Sequence, residues 1–446
     1  MSSDRSYRET IDYLYALQKH GVKLALANSV TLMEIMGSPH RRFRSVHVAG
    51  TNGKGSTAAF ITSMLRAAGY RVGLYTSPHL VSFTERIRIN GTPISEAKVV
   101  ELARRVRGGS ESTPSTAGLN PTFFEVTTAI AFTYFAEEGV DIAVIEVGMG
   151  GRLDSTNVIT PLVSVITNID LEHREYLGGT LELIAAEKAG IIKPSVPVVT
   201  GAAQPDVIRV IEDKAAEVQA PVYRLNKHFH AERVTPGSGQ DFDYHGIKMP
   251  PVRLSIAMLG SHQVDNACLA LAAVECLREA GVNVDDSAMR RGLADAHWEG
   301  RLERVARRPD IYLDGAHNPA SARVLAEAVR TMKKSYARLI LVIGILGDKD
   351  FRGIIAELIP LADKVIATRP DYGRAMEPAA LAAEVRPLHP GVIVADTMGR
   401  ALTIAQETAC PDDLILVTGS LYVVGDARAV LVDKPGQEQQ LSGLKG

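Results

Sequence analysis

The stretch VHVAGTNGKGST, residues 46–57, places three glycines and one lysine directly after a short apolar run. Glycine lets the backbone turn with positive φ and approach a ligand closely, and the free N–H groups at a helix start attract phosphate. Lys54 would add a point charge beside the terminal phosphates of a nucleotide. The strict pattern G-x-x-x-x-G-K-[ST] would need glycine and then serine or threonine where Val48 and Gly55 stand. The segment therefore indicates a tighter phosphate loop over 50–57, and a glycine-rich turn with a solvated lysine is the alternative.

Three further side chains could do chemistry near the ends of predicted strands. Glu146 lies in the apolar run IAVIEVGMGG, where an unpaired carboxylate is costly and a metal ion would offset the cost. His173 follows another apolar run, at the sheet edge where open α/β folds bind ligands. The alternatives are a salt-bridged Glu146, a hydrogen-bonded loop histidine and, for Ser77, a plain turn serine. By its pattern alone, Lys188 reads as an ordinary helical lysine.

A second group of polar residues lies in the C-terminal third of the chain. Asp314 ends the predicted strand IYLDG, and His317 and Asn318 follow in the loop beyond it. Arg301 could pair with a phosphate or with Asp314. The TGSLY segment ends another strand in the same way at Ser420. These residues could form a ligand site or only a capped turn, and the sequence leaves that choice open.

The elements that would position these residues alternate between short apolar runs and longer amphipathic ones, which indicates an α/β fold with mainly parallel sheets. The first part predicts strands over 45–50, 141–148, 161–170 and 194–201, and helices over 56–69, 123–139 and 180–190. The last part predicts strands over 311–315, 338–346, 364–370, 391–397 and 413–420. Between them, 225–255 predicts strands or an exposed insertion, and a helix follows over about 262–280. We expect a loop over 108–122 and a disordered tail after 432.

This alternation of strands and helices, with its interruption over 225–255, predicts two domains. The first, 1–295, is a P-loop-type domain with a mainly parallel sheet, and the second, 296–446, is a smaller Rossmann-like α/β domain. A dehydrogenase is disfavoured because no G-x-G-x-x-G follows the first strand of the second domain.

The composition excludes several classes of protein. The 446 residues include 49 Lys and Arg against 51 Asp and Glu, a formal net charge of −2, so nothing favours nucleic-acid or membrane-surface binding. Only three cysteines occur, without a C-x-x-C pair, which fits a reducing compartment. The sequence offers no signal-peptide core and no run of about 18 apolar residues. We expect a cytoplasmic monomer that acts on small molecules.

Taken together, ten motifs resemble the folylpolyglutamate synthase and dihydrofolate synthase family within the Mur ligase group. In chain order they are GTNGKGS, YTSPHL, TFFE, IEVGMGGRLDSTN, EKAGIIK, HQVDNA, GRLE, LDGAHNP, GDKD and TGSLY, between residues 50 and 422. The shortened phosphate loop is the form that this family carries. Their joint order is far more specific than any single motif.

The resemblance implies an ATP-dependent amide ligase that adds L-glutamate to dihydropteroate, to the glutamate tail of tetrahydrofolate, or to both. ATP would phosphorylate a substrate carboxylate, and the amino group of glutamate would attack the acyl phosphate. The implied cofactor is Mg²⁺, two ions of it, with ATP as substrate. The alternatives are a Mur-type peptidoglycan-precursor ligase and a nucleotide-binding switch without ligase activity.

The resemblance also assigns residues by position. The implied ATP contacts are Gly50, Thr51, Asn52, Gly53, Lys54, Gly55, Ser56, Thr57, Asn266, Arg301 and Asp314. The implied magnesium ligands are Ser77, Glu146 and His173, and the implied catalytic residues are Lys54, His173 and Lys188, the last of them carbamylated in the family. The implied folate contacts are Thr122, Phe124, Arg152 and Asp154, and the implied glutamate contacts are His317 and Ser420. Glu172 departs from the family pattern, and we expect it to touch no ligand directly.

Overall fold

The computed structural model describes residues 2–21, 25–111, 119–233 and 240–432. The chain divides into two compact units. Unit 1 comprises Met1–Pro78, Phe83–Ala257 and His262–His297, and unit 2 comprises His79–Ser82, Met258–Ser261 and Trp298–Gly446. The two short segments of unit 2 that precede residue 298 were not part of the division predicted from the sequence. The predicted disordered tail lies outside the described residues.

Unit 1 is built on an eight-stranded sheet. Its strands are β1 Arg44–Ala49, β2 Val72–Tyr75, β3 Ile87–Ile89, β4 Thr92–Pro93, β5 Ile142–Glu146, β6 Val163–Ile166, β7 Val198–Thr200 and β8 Val222–Arg224. They lie in the order β4-β3-β2-β5-β1-β6-β7-β8, and every pair from β2 to β8 is parallel. The central strands are buried along almost their whole length, which explains their near-continuous apolar sequences.

Helices pack on this sheet, and two apolar clusters among the described residues show how. The helices are α1 Ser2–Ala16, α2 Ala27–Ile35, α3 Lys54–Ala67, α4 Glu96–Glu111, α5 Phe123–Glu137, α6 Arg174–Leu177, α7 Leu181–Ala189 and α8 Pro205–Glu217. One cluster draws on α1, α2, α4 and α5, and the other on α7 and α8. Two predicted boundaries were wrong. Helix α3 begins at Lys54 rather than Ser56, and α4 continues through Glu111, into the segment that was predicted as a loop.

The segment from 225 to 255 contains strands, which was one of the two alternatives. They are β9 His230–Arg233, β10 Gln240–His245 and β11 Val252–Ile256, an antiparallel sheet in the order β11-β10-β9. Helices α9 Ser261–Glu279 and α10 Asp286–Ala294 follow. The Tyr244 hydroxyl donates to the Glu275 carboxylate over 2.8 Å, which joins this small sheet to α9.

Unit 2 is a six-stranded sheet in the order β12-β13-β17-β14-β15-β16. Its strands are β12 Glu303–Ala306, β13 Asp310–Asp314, β14 Leu339–Ile343, β15 Lys364–Ala367, β16 Ile393–Val394 and β17 Leu414–Thr418. Its helices are α11 Pro319–Met332, α12 Phe351–Leu358, α13 Pro378–Val385, α14 Met398–Thr408 and α15 Leu421–Leu431. Only β12 is antiparallel to its neighbour. The predicted α/β class with parallel-rich sheets is confirmed. In the described ranges, no helix has the length and apolar character that a membrane span requires.

Candidate active site

Four adjacent parallel strands of unit 1, β2, β5, β1 and β6, bring the predicted residues to one edge of the sheet. Ser77 follows β2, Glu146 ends β5, the loop 50–57 follows β1, and His173 lies in the segment after β6. Because parallel strands end at the same edge, chain segments far apart in sequence meet there. This carboxyl edge is where open α/β sheets bind their ligands.

The loop after β1 needs glycine at two positions for steric reasons. Gly50 has φ +145°, and a Cβ there would lie 1.9 Å from the Thr167 hydroxyl oxygen. Gly53 has φ +83°, and a Cβ there would lie 2.4 Å from Oδ1 of Asn266. Neighbouring side chains therefore press directly on the loop backbone, and only glycine fits both the dihedral angles and the space.

The start of α3 offers free amide groups. Gly53 is the N-cap residue and supplies no side-chain cap, and the first helical bond runs from Thr57 N to Gly53 O. Across the described ranges, the N–H groups of Lys54, Gly55 and Ser56 find no acceptor, and the buried Thr57 hydroxyl also lacks a partner. Such amides, together with the positive end of the helix dipole, bind phosphate well.

Two lysines converge on one carbonyl oxygen of this loop. Nζ of Lys54 donates to the carbonyls of Gly50 and Thr51, each over 3.0 Å, and Nζ of Lys188 donates to the same Gly50 carbonyl over 2.8 Å. Lys188 is 3% exposed, so its interpretation as an ordinary helical lysine was wrong. Burial, and then the charge of Lys54, lower the pKa of Lys188 to about 7, while Glu172 and Asp154 act in the opposite direction.

A nearly buried carboxylate lies beside the loop. Glu146 is 5% exposed, and its Oε2 accepts the Ser77 N–H over 3.0 Å. This carboxylate, together with the Ser77 hydroxyl, provides the hard oxygen donors that Mg²⁺ prefers, so the residues present fit such an ion. His173 is the N-cap residue of α6 with φ +50°, and its Nε2 lies 3.7 Å from Oε1 of Glu172. Glu172 thus lies near a proposed metal-ligating residue, and the expectation that it touches no ligand directly stays a prediction.

The four predicted folate residues have structural partners of their own. Thr122 caps α5 by accepting the Glu125 N–H, and the Phe124 ring stacks on Tyr75 with centroids 5.9 Å apart. Oδ2 of the buried Asp154 accepts the Met149 N–H over 2.9 Å.

Asp154 also binds Thr156 through its other oxygen, and burial raises the pKa of its carboxyl group. The half-exposed Arg152 pairs with Glu187 over 2.7 Å. Phe124 and Arg152 keep ring or guanidinium surface for a ligand, whereas the polar atoms of Thr122 and Asp154 already hold the local backbone.

The predicted residues of unit 2 meet at the ends of two neighbouring strands, β13 and β17. Oδ2 of Asp314 accepts the Leu302 N–H over 3.0 Å, and its Oδ1 accepts the Ala316 N–H over 2.9 Å. Burial raises the pKa of Asp314, and the charge of Arg301 opposes that rise. Asp314 therefore caps a turn, and its contact with a ligand stays a prediction.

The glutamate candidates of unit 2 are held from the same two strand ends. Nδ1 of His317 lies 2.9 Å from the Gly315 carbonyl oxygen, which fixes the orientation of the imidazole ring. The Ser420 hydroxyl accepts the Val423 N–H over 3.1 Å as the N-cap of α15. The local contacts of both residues therefore hold them at the ends of β13 and β17.

Comparison with known proteins shows which family the chain belongs to. Residues 48–274 match the Mur ligase middle domain, and residues 300–421 match the Mur ligase glutamate ligase domain. A dihydrofolate synthase/folylpolyglutamate synthase of Bacillus subtilis (strain 168) is 39% identical over 432 residues, which cover 95% of this chain and 98% of the relative. The chain belongs to this family of Mur ligases. The family and the enzyme class, an ATP-dependent ligase, are thus confirmed, and the non-ligase switch is excluded.

Solved structures of family members match nearly the whole chain. Mycobacterium tuberculosis folylpolyglutamate synthase complexed with ADP has a TM-score of 0.88 at 35% identity, covering 96% of this chain and all of that one. Escherichia coli FolC in complex with DHPP and ADP has a TM-score of 0.86 at 31% identity, covering 95% of this chain and 97% of that one. The ligase fold therefore extends over both units.

The sequence reasoning missed the residues that hold the loop 50–57 in place. The Thr167 hydroxyl donates to the Asn52 carbonyl over 2.6 Å, and Oδ1 of Asn168 accepts the Asn52 N–H over 2.8 Å. Gln263, fully buried in α9, donates to the Ser56 hydroxyl and accepts from the Asn266 amide. A signal for the first two was present, since the polar residues Thr167 and Asn168 follow directly on an apolar strand.

Proposed function

We propose that this ligase adds L-glutamate to dihydropteroate and to the glutamate tail of tetrahydrofolate, with ATP as the second substrate. The observation that carries the proposal is the α3 start, where free amides and two lysines lie next to a nearly buried carboxylate at one sheet edge. The names of relatives that match over nearly the whole chain favour a folate acceptor over a peptidoglycan precursor.

The chemistry explains why ATP is needed. A carboxylate is a poor electrophile at neutral pH, so its oxygen first takes the γ-phosphoryl group and ADP leaves. The glutamate amine then attacks the acyl carbon and forms the C–N bond, and the tetrahedral intermediate collapses to the amide as the C–O bond to phosphate breaks. Attack requires the neutral amine, so one proton passes to solvent or to a protein base. The protein mainly has to position these groups and neutralise their charge.

In this proposal the loop 50–57 binds the triphosphate through the amides at the start of α3, and Lys54 lies beside the terminal phosphates. Glu146, Ser77 and His173 would hold Mg²⁺, two ions in all, which neutralises phosphate charge when bound. Asn266 packs on Gly53 and would contact the nucleotide. Arg301 and Asp314 are further proposed nucleotide contacts.

The same proposal assigns contacts to the pterin-bearing acceptor and to the incoming glutamate. Phe124 would stack on the pterin ring, and Thr122, Arg152 and Asp154 would line its site. The incoming glutamate would contact His317 and Ser420.

We also propose that Lys188 is carbamylated. Its neutral amine would attack CO₂, form an N–C bond and release one proton, and the product is an anion. A pKa near 7 supports this, because a large share of the amine is then neutral at physiological pH. The carbamate would replace a buried cation by an oxygen ligand suited to a magnesium site.

The decisive experiment measures ADP release and product length with two acceptors. Purified enzyme receives ATP, Mg²⁺ and glutamate with dihydropteroate or with tetrahydrofolate, and mass spectrometry counts the glutamates added. Turnover with both acceptors supports a bifunctional enzyme. Turnover with UDP-linked muramyl substrates in place of the pterins would refute the folate assignment. A lack of turnover with every pterin acceptor would refute it as well.

A matched pair of variants ties the turnover to the phosphate loop. Lys54→Ala removes the loop charge and should lower kcat by a factor on the order of 10² to 10³. Lys227→Ala removes an exposed lysine from the turn before β9 and should leave turnover unchanged. Equal activity of the two variants would contradict the role of Lys54.

We further infer a cytoplasmic monomer, and the small cysteine count supports the reducing compartment. Light scattering of the purified chain at micromolar concentration tests the oligomeric state. A mass of twice 48.0 kDa would contradict it.

A further inference from the structure

Two histidines and a glutamate converge on the exposed face of the small sheet β9–β11, in unit 1. His230 and His245 are direct cross-strand partners, and their rings stack with centroids 4.3 Å apart and planes 8° from parallel. Glu232 lies two residues along β9, on the same face. Its Oε1 is 3.8 Å from Nε2 of His230 and 3.6 Å from Nε2 of His245. One ligand atom from each of the three lies within 4.8 Å of the others.

The neighbouring acids on this face are already engaged. Both oxygens of Asp243 accept from the guanidinium of Arg253, over 2.5 and 2.9 Å. Asp241 accepts a hydrogen bond from the Ser255 hydroxyl. Among the described residues, the ion-pair partners of Glu232 are the two imidazoles themselves. The Glu232 carboxylate therefore faces the two histidines and not an arginine.

The opposite face of the same strands fixes the backbone under the cluster. Phe242 and Tyr244 alternate with the exposed residues of β10 and are fully buried. Both oxygens of Glu275 in α9 accept hydrogen bonds from the Tyr244 hydroxyl and from the backbone between 247 and 249. The end of the hairpin that carries His230 and His245 is thus anchored, so bringing their nitrogens onto one point needs only side-chain rotation.

We propose that His230, Glu232 and His245 bind one divalent transition-metal ion of the zinc type. Two imidazoles and one carboxylate make a three-ligand set that leaves one position of a tetrahedral ion to water. Imidazole suits zinc, copper, nickel and cobalt, whereas Mg²⁺ prefers a set made of oxygens. The ion would clamp β9 to β10, and it is separate from the magnesium site proposed for the carboxyl edge of the large sheet.

The test is a zinc titration of the full chain without an affinity tag. The protein is stripped with chelator and then held in excess Mg²⁺ and ADP, so that the nucleotide site is occupied by its own ligands. Calorimetry compares the wild type with His245→Gln and with the control His228→Gln, which removes an exposed histidine outside the cluster. Cobalt absorption reports imidazole ligation independently, and ligase turnover shows that each variant is folded.

The wild type and His228→Gln should bind one zinc ion, whereas His245→Gln should lose about 10-fold or more in affinity. The cobalt band should weaken in the same variant, and excess Mg²⁺ should not displace the ion. Equal zinc affinity and stoichiometry in all three proteins would overturn the proposal, and so would displacement by Mg²⁺.

Discussion

At the scale of single residues, Lys188 carries the sharpest prediction. Lys188→Gln keeps a donor of similar reach for the Gly50 carbonyl but cannot form a carbamate. We therefore expect its ligase turnover to fall by roughly 100-fold, as for loss of a group that tunes a metal site. The measurement is the initial rate of ADP release with saturating ATP and folate acceptor. Since CO₂ is the proposed reagent, degassed wild-type enzyme should lose rate and regain it on addition of bicarbonate.

The glutamine variant separates this role from a merely structural one. If Lys188 serves only to hold the Gly50 carbonyl, the variant stays active and bicarbonate has no effect on either protein. Lys188→Met, which lacks the donor as well, shows how much the hydrogen bond alone contributes to thermal stability.

Gly53 and Gly69 form a matched pair with similar backbone angles, φ +83° and +90°. Alanine at either position should cost about 1 kcal/mol of folding free energy through the dihedral alone. At Gly69 a new Cβ meets nothing within 4 Å, whereas at Gly53 it lies 2.4 Å from Oδ1 of Asn266. We therefore expect only Gly53→Ala to lower kcat/KM for ATP, by about 10- to 100-fold, because it displaces a loop neighbour. Thermal melts and ATP kinetics on both variants test this, and equal ATP dependence would contradict it.

At the scale of elements, the start of α5 is held by a reciprocal cap. The Glu125 carboxylate accepts the Thr122 N–H over 2.6 Å and the Asn28 amide over 3.2 Å, which also ties α2 to α5. Thr122→Ala should therefore cost about 1 kcal/mol of stability, and Thr122→Ser almost none. Chemical denaturation of the three proteins checks the difference, and an unchanged alanine variant would refute the cap. A raised KM for the folate acceptor in the serine variant, with its cap intact, would support the proposed substrate contact.

Elements were predicted well where local pattern decides them. The strands over 45–50 and 141–148 match β1 and β5 closely, because buried parallel strands have continuous apolar sequences. The start of α3 was placed two residues late, because Gly53 caps the helix by its own backbone conformation and leaves no side-chain signal. The end of α4 was missed because two glycines, Gly108 and Gly109, suggested a loop within a continuing helix.

At the scale of the whole molecule, the candidate site depended on contacts that no local pattern encodes. Asn266 reaches Gly53 across more than two hundred residues, and the motif alone could suggest a nucleotide role without showing this packing. Lys188 was misread because burial is a tertiary property and its helix has no clear amphipathic pattern. The resemblance to a family, rather than the spacing of charges, singled it out. The His230–His245 pair escaped notice because hairpin register was not predicted for that segment.

Whole-molecule stability should also respond to pH through Asp426, in α15. This carboxyl group is 9% exposed and accepts the Asp371 N–H over 2.8 Å. Burial, and to a smaller extent the charge of Asp371, raise its pKa to about 6 from 3.8. Between these two pKa values the folded state binds more protons than the unfolded state, so this group destabilises the protein increasingly as pH rises from about 4 to 6. Above pH 6 the destabilisation is complete.

Asp426→Asn keeps an acceptor for the Asp371 N–H and removes the charge. It should therefore stabilise the protein, and its advantage should be roughly 1 kcal/mol larger at pH 8 than at pH 5. Urea unfolding followed by circular dichroism at the two pH values gives this difference, with Asp412→Asn as an exposed control that should show none. An advantage of the Asp426 variant that stays constant with pH would mean that the carboxyl group titrates as it does in the unfolded chain. In that case burial would not raise the pKa of Asp426 in the folded protein.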